Sequence, residues 1–96
     1  MTASDLLAAN RESIIRLASL HGARNVRVFG SVARGDATET SDVDLLVEME
    51  EGKSFLDLVG LWQDLQDLLG LKVDVISDGG ISPHLRAKIL AEAVPL

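Results

Sequence analysis

Residues Gly30 to Glu48 read GSVARGDATETSDVDLLVE, and the second half of that stretch decides the fold. Val43, Leu45, Leu46 and Val47 form a nearly unbroken aliphatic run, which predicts a strand over Val43 to Glu48 buried on both faces. A strand buried on both sides belongs to a sheet with packed layers, so the expectation is an α/β (α+β) chain: a small mixed sheet with helices packed on it.

Working outward, Gly30 ends a strand over Asn25 to Phe29, with Val26 and Val28 on one face and Arg27 and Phe29 on the other. Ser31 to Arg34 fits one short helical turn, and Gly35 to Ser41 is a small, polar, turn-rich link. Upstream, Leu6, Leu7, Ile14, Leu17, Ala18 and His21 recur near helical spacing. They predict one helix, capped at Thr2 or Ser4 and stopped at Gly22.

Downstream, Glu50 to Lys53 is a polar turn and Ser54 with Asp57 makes a capping pair for a helix. Phe55, Leu58, Trp62, Leu65 and Leu69 give that helix a wide apolar face, with Trp62 in the core, and Gly70 closes it. Lys72 to Ile76 is a third strand. Ser82 and Pro83 open a last helix through about Ala93, ended before Pro95. The long helix between the second and third strands acts as a crossover, so those two strands run parallel and close together. The shorter link after the first strand permits an antiparallel pairing.

Ninety-six residues fit one domain, 1–96, with no room for a second core. A net charge of -6 repels nucleic-acid phosphates, which speaks against direct nucleic-acid binding over a broad surface. With no cysteine, the chain has neither disulfides nor thiolate metal sites. It shows no signal-peptide pattern and no apolar run long enough for a bilayer, so a soluble cytoplasmic protein is expected.

The chemistry concentrates at the mouth of the second strand. Strand alternation points Asp42 and Asp44 the same way. If the third strand lies alongside, Asp74 approaches the same volume, within a strand whose aliphatic neighbours predict that it is largely buried. Three anions held together repel, and at least one carboxyl is pushed to keep its proton. Mg2+ resolves the conflict, because it favours carboxylate oxygens and completes its shell with water and substrate phosphates. Two such ions would serve the attacking oxygen and the leaving pyrophosphate. Gly30 lets the backbone approach a phosphate, the Ser31 hydroxyl donates to it, and Arg34 adds a forked cation. His21 and His84 read as helix-end or surface residues rather than ligands.

Gly30-Ser31, Arg34-Gly35, Ser41-Asp42, Asp44-Leu45 and Val47 together resemble the motif of the minimal nucleotidyltransferase family of the DNA polymerase beta-like superfamily. With Asp74 the resemblance covers nearly the whole chain. It implies a nucleotidyltransferase palm-like fold, ATP as nucleotide donor and Mg2+ held by Asp42, Asp44 and Asp74. It also implies nucleotide binding by Gly30 and Ser31, with Arg34 and Ser41 of the motif beside them. Small stand-alone members are similar to MntA-type antitoxins, which implies a HEPN-domain toxin as partner and AMP transfer to a tyrosine of that toxin. Two other readings stand beside this one. The chain neutralises a partner by binding alone, docked through Ile81, Leu85, Ile89 and Leu90 of the last helix, or it transfers a nucleotide to a small molecule or an RNA end.

Overall fold

The structure, a computed structural model, describes residues 2–38 and 41–96. Its sheet is built on the aliphatic run: β2 (Val43–Met49) lies inside the strand order β3-β2-β1-β4, and Val43, Leu45, Leu46 and Val47 have no exposed surface. Taking such a side chain fully out of water is worth about 1.5–3 kcal/mol, so this strand anchors both layers. On its left β1 (Ala23–Phe29) runs antiparallel, from Ala23 opposite Met49 to Phe29 opposite Asp44. The register shifts between Arg24 and Arg27, where Asn25 adopts a φ of 51°. On its right β3 (Val73–Ser77) runs parallel, from Val43 opposite Val73 to Val47 opposite Ser77. The mixed sheet and its crossover are as the sequence predicts.

Alternation sorts the side chains into two layers. Val43, Leu45, Val47 and Val73 face Leu7 of α1 (Ala3–Ala9), Ile14 and Ala18 of α2 (Arg11–Leu20), and Leu61, Leu65 and Leu69 of α4 (Phe55–Leu69). On the opposite face Leu46 packs with Phe29, Ile76, Ile81 and Ile89, the last from α5 (Pro83–Glu92). This second layer is smaller. It leaves the end of the sheet that carries the acids uncovered by that cluster.

Four expectations need correction. The N-terminal helix is two helices, because the chain leaves helical angles at Asn10 (φ -111°, ψ 14°), whose side-chain amide donates to Leu6 O at 2.8 Å. A short amide side chain competing for the backbone is a common interrupter. Thr2 does cap α1, reciprocally with Asp5.

The buried stripe of α4 runs through Leu61 rather than Trp62: Phe55 and Trp62 are exposed, and the indole sits at the sheet edge, where Nε1 donates to Val73 O. Its start and stop hold, with a reciprocal cap of Ser54 and Asp57 and a left-handed Gly70 (φ 65°). The apolar residues expected to dock a partner from the last helix do not share a face; Ile81, just before α5, and Ile89 are buried in the second layer, and Leu85 and Leu90 point outward. Lastly, the sequence reading lacks β4 (Val94–Pro95), which pairs antiparallel with β1. Proline reads as a breaker, yet an edge strand tolerates it because its missing N–H faces away from the ladder. Of the link expected over 35–41, residues 39 and 40 lie outside the described part. Among the described residues, no helix is long and apolar enough to cross a membrane.

Candidate active site

One row across the sheet sets the site. Phe29 pairs with Asp44 and Asp44 pairs with Asp74, so the end of β1, the start of β2 and the start of β3 stand side by side. Immediately after Phe29 the chain turns through Gly30 into α3 (Gly30–Arg34). Gly30 is buried with a φ of 76°, a conformation that side chains disfavour, and a Cβ there would overlap Asp44 Oδ2. Two independent causes therefore require glycine.

Asp44 is the residue on which the site's electrostatics converge. Its carboxyl is pushed above the usual carboxylate range, first by burial and then by the charges of Asp74 and Asp42; Arg34 opposes the shift and Glu92 adds to it. This is the conflict the sequence predicts, now assigned to one group. Asp42 is half-buried and faces Lys72, with Nζ to Oδ2 at 3.5 Å. Asp74 corrects an expectation: it is exposed rather than buried, because β3 is an edge strand. Its carboxylate therefore faces water, not a low-dielectric interior.

Among the described residues, no three carboxylate or imidazole groups close around one point as a preformed cage. The donor set still suits Mg2+. All three are hard oxygen donors on neighbouring positions, their mutual repulsion falls on Asp44, and Mg2+ is held by one or two carboxylates with water and phosphates filling the rest.

The phosphate-binding candidates divide. Ser31 is half-buried in α3 beside Gly30, and its hydroxyl has no protein partner among the described residues. Arg34 is held by two acids, with Nη1 donating to Glu92 Oε1 at 3.0 Å and Nε to Asp36 Oδ2 at 3.2 Å. Those bonds, Glu92 foremost, push its basicity above the ordinary guanidinium value. Ser41 is used differently: its hydroxyl accepts from Thr38 N–H at 2.8 Å and closes the loop before β2.

Two residues of the site were not singled out from sequence. Glu92 closes α5 over Arg34 and Asp44, and Lys72 enters β3 opposite Asp42. Lys72 was legible in principle, since strand pairing puts the residue before Val73 beside the residue before Val43. Glu92 depends on how α5 docks, which periodicity does not give.

Fold and site define a class, and comparison with known proteins supports it. Residues 11–96 match the model of the nucleotidyltransferase domain family. A candidate protein adenylyltransferase of Methanocaldococcus jannaschii is 48% identical over 84 residues, covering 88% of this chain and 90% of that protein. The protein adenylyltransferase MntA of Thermococcus cleftensis is 42% identical over 73 residues, covering 76% of this chain and 74% of its own length. A solved candidate minimal nucleotidyltransferase superposes with a TM-score of 0.88 at 51% identity, over 100% of this chain and 97% of its own. Two toxin–antitoxin structures share the fold at lower identity. One, with AMP-PNP, has a TM-score of 0.77 at 23% identity over 90% of this chain and 71% of its own. The other, MntA–HpeT with a tyrosine replaced by alanine, has a TM-score of 0.71 at 22% over 91% and 70%. This chain belongs to the nucleotidyltransferase domain family.

Proposed function

We propose that the chain is a Mg2+-dependent adenylyltransferase, acting in the cytoplasm, that moves AMP from ATP to a tyrosine of a HEPN-domain toxin and is the antitoxin of that pair. The observation that carries this reading is the row from Gly30 through Asp44 to Asp74: a left-handed glycine turn packed on Asp44, and carboxylates on neighbouring strands at one end of one sheet. The names of the relatives, the AMP-PNP complex and the MntA–HpeT mutant agree with it.

Asp42, Asp44 and Asp74 would hold Mg2+, which when bound supplies positive charge against the phosphates and polarises the one under attack. The chain's own residues do the rest. Gly30 and the Ser31 hydroxyl hold the β- and γ-phosphates, and Arg34 turns its fork from the two acids to phosphate oxygens. The tyrosine oxygen bonds to the α-phosphorus as the bond to the bridging oxygen breaks. Pyrophosphate leaves with those electrons, and the phenolic proton passes to the exposed Asp74 carboxylate. In-line displacement requires attacking and leaving oxygens on opposite sides, so the acceptor arrives from the β3 side, across from Gly30 and Ser31.

Purified chain, labelled ATP, Mg2+ and the HEPN-domain toxin proposed as its partner should yield a toxin heavier by one or more AMP groups on tyrosine. An unlabelled, folded partner would overturn the proposal. Asp44→Asn should abolish the label. Neutralisation by binding alone finds less support, since only Leu85 and Leu90 of α5 remain outward. Neutralisation in cells that survives Asp42→Asn with Asp44→Asn would restore that second reading.

A further inference from the structure

Along the outer edge of β3 runs a groove of about 250 Å³, lined by Phe55, Leu58, Val59, Trp62, Asp74 and Val75. It is open and apolar: Phe55 is 75% exposed and Trp62 37%. Single exposed hydrophobic residues need no explanation, but two aromatic residues sharing a groove with Asp74, a residue of the candidate site, mark a binding surface.

The sheet edge beneath is half closed. Val43 N–H donates to Lys72 O at 3.0 Å, so the alternation of a parallel ladder turns the backbone N–H and C=O of Val73 and Val75 toward the free edge. The outward groups of Val73 are occupied, its N–H donating to Gln66 Oε1 at 3.3 Å and its carbonyl accepting from Trp62 Nε1. Val75, next to Asp74, is the following outward residue. Among the described residues, no side chain bonds its backbone. An edge of this kind pairs with an extended chain.

Resting on the adenylyl-transfer reading above, we propose that this groove is the acceptor-docking surface. It seats an extended, apolar segment of the protein acceptor, which pairs with β3 at Val75, lays side chains on Phe55 and Trp62 and brings its hydroxyl to Asp74. The in-line requirement selects this occupant over the nucleotide. The phosphate-binding turn follows β1, the acids sit on β2 and β3, and the groove lies beyond β3, on the side from which the attacking group comes. Charge selects a protein over a nucleic acid, since Asp74 is the groove's charged lining residue and the chain carries -6 overall.

The test uses the full chain with the HEPN-domain toxin proposed above as its partner. Phe55→Lys should raise KM for the toxin about tenfold or more while Mg2+-ATP binding by calorimetry stays unchanged. Leu85→Lys, on exposed α5, should alter neither. A photo-crosslinker replacing Phe55 should capture the toxin. If Phe55→Lys labels the toxin as the unaltered chain does, or Leu85→Lys loses as much, the groove is not the docking surface. A toxin that crosslinks from position 55 but is never labelled would remove the transfer reading and keep the groove. One that is labelled but never crosslinks would do the reverse.

Discussion

The carboxylate of Asp44 lies where a side chain at Gly30 would begin, so turn and metal-ligand candidate are packed as one unit. Gly30→Ala should therefore cost more than backbone strain alone. Gly35 supplies the control: its φ is 81°, close to the 76° of Gly30, but nothing lies within 4 Å of a Cβ built there. Gly35→Ala should lose about 1–2 kcal/mol for the left-handed backbone. Gly30→Ala should lose clearly more, and should displace Asp44 and remove nucleotide transfer. Thermal unfolding of the two variants side by side checks the difference.

The raised pKa of Asp44 gives stability a definite pH dependence. Its folded value lies above the 3.8 of an ordinary aspartate, so between the two the native state holds more protons than the unfolded chain. Stability from this group thus falls as pH rises through that window and stays lowered at neutral pH. Metal-free Asp44→Asn should accordingly match or exceed the unaltered chain in melting temperature at pH 7, with the gain vanishing below about pH 3.8. Mg2+ should raise the melting temperature of the unaltered chain more than that of the variant. Clear destabilisation of metal-free Asp44→Asn at pH 7 would refute the repulsion.

How much of this was legible follows from the range of each signal. The aliphatic run of β2, the caps at Ser54 and Gly70 and the parallel neighbour β3 rest on local patterns, and they read correctly. Strand alternation and the crossover rule also put Asp74 opposite Asp44, with the charges of Asp74 and Asp42 both acting on Asp44, but among the described residues the three acids do not close around one point. What failed depends on tertiary placement. Leu61 and Trp62 are adjacent on α4 and both apolar, and only the position of the sheet edge decides which is buried. Asp74 looked buried because its neighbours are aliphatic, yet an edge strand exposes alternate residues. Glu92 reaches Arg34 only because Ile81 and Ile89 dock α5 against Leu46.

Arg34 tests whether that docking matters to nucleotide binding. Glu92 and Asp36 hold its guanidinium beside Asp44, on the side of the site where phosphates would lie. Arg34→Ala should raise KM for ATP about tenfold, since charge-assisted bonds to phosphate are among the stronger ones, with a smaller effect on kcat. Arg34→Lys should recover only part, because an ammonium lacks the fork. Steady-state kinetics at fixed partner concentration separate these outcomes. A kcat loss without a KM change would place Arg34 on the reacting atoms instead.

The first turn of α4 offers a titration of opposite sign that bears on the docking groove. Asp57 is held below the ordinary aspartate value by the Ser54 backbone N–H, which donates to Oδ2 at 2.8 Å. A lowered folded pKa means that the cap stabilises the fold above about pH 3.8 and loses that contribution as pH falls towards the folded value. Phe55 sits directly after this cap, so the cap also fixes one wall of the groove. Ser54→Ala should lower stability by about 1 kcal/mol at pH 7, and weaken transfer to the partner while leaving ATP binding intact. Asp57→Asn should melt lower than the unaltered chain at pH 7, with the gap narrowing at a pH well below 3.8. Thermal melts at the two pH values, together with partner titration at neutral pH, test both halves. A transfer defect absent from Ser54→Ala despite a frayed first turn would detach Phe55 from acceptor docking.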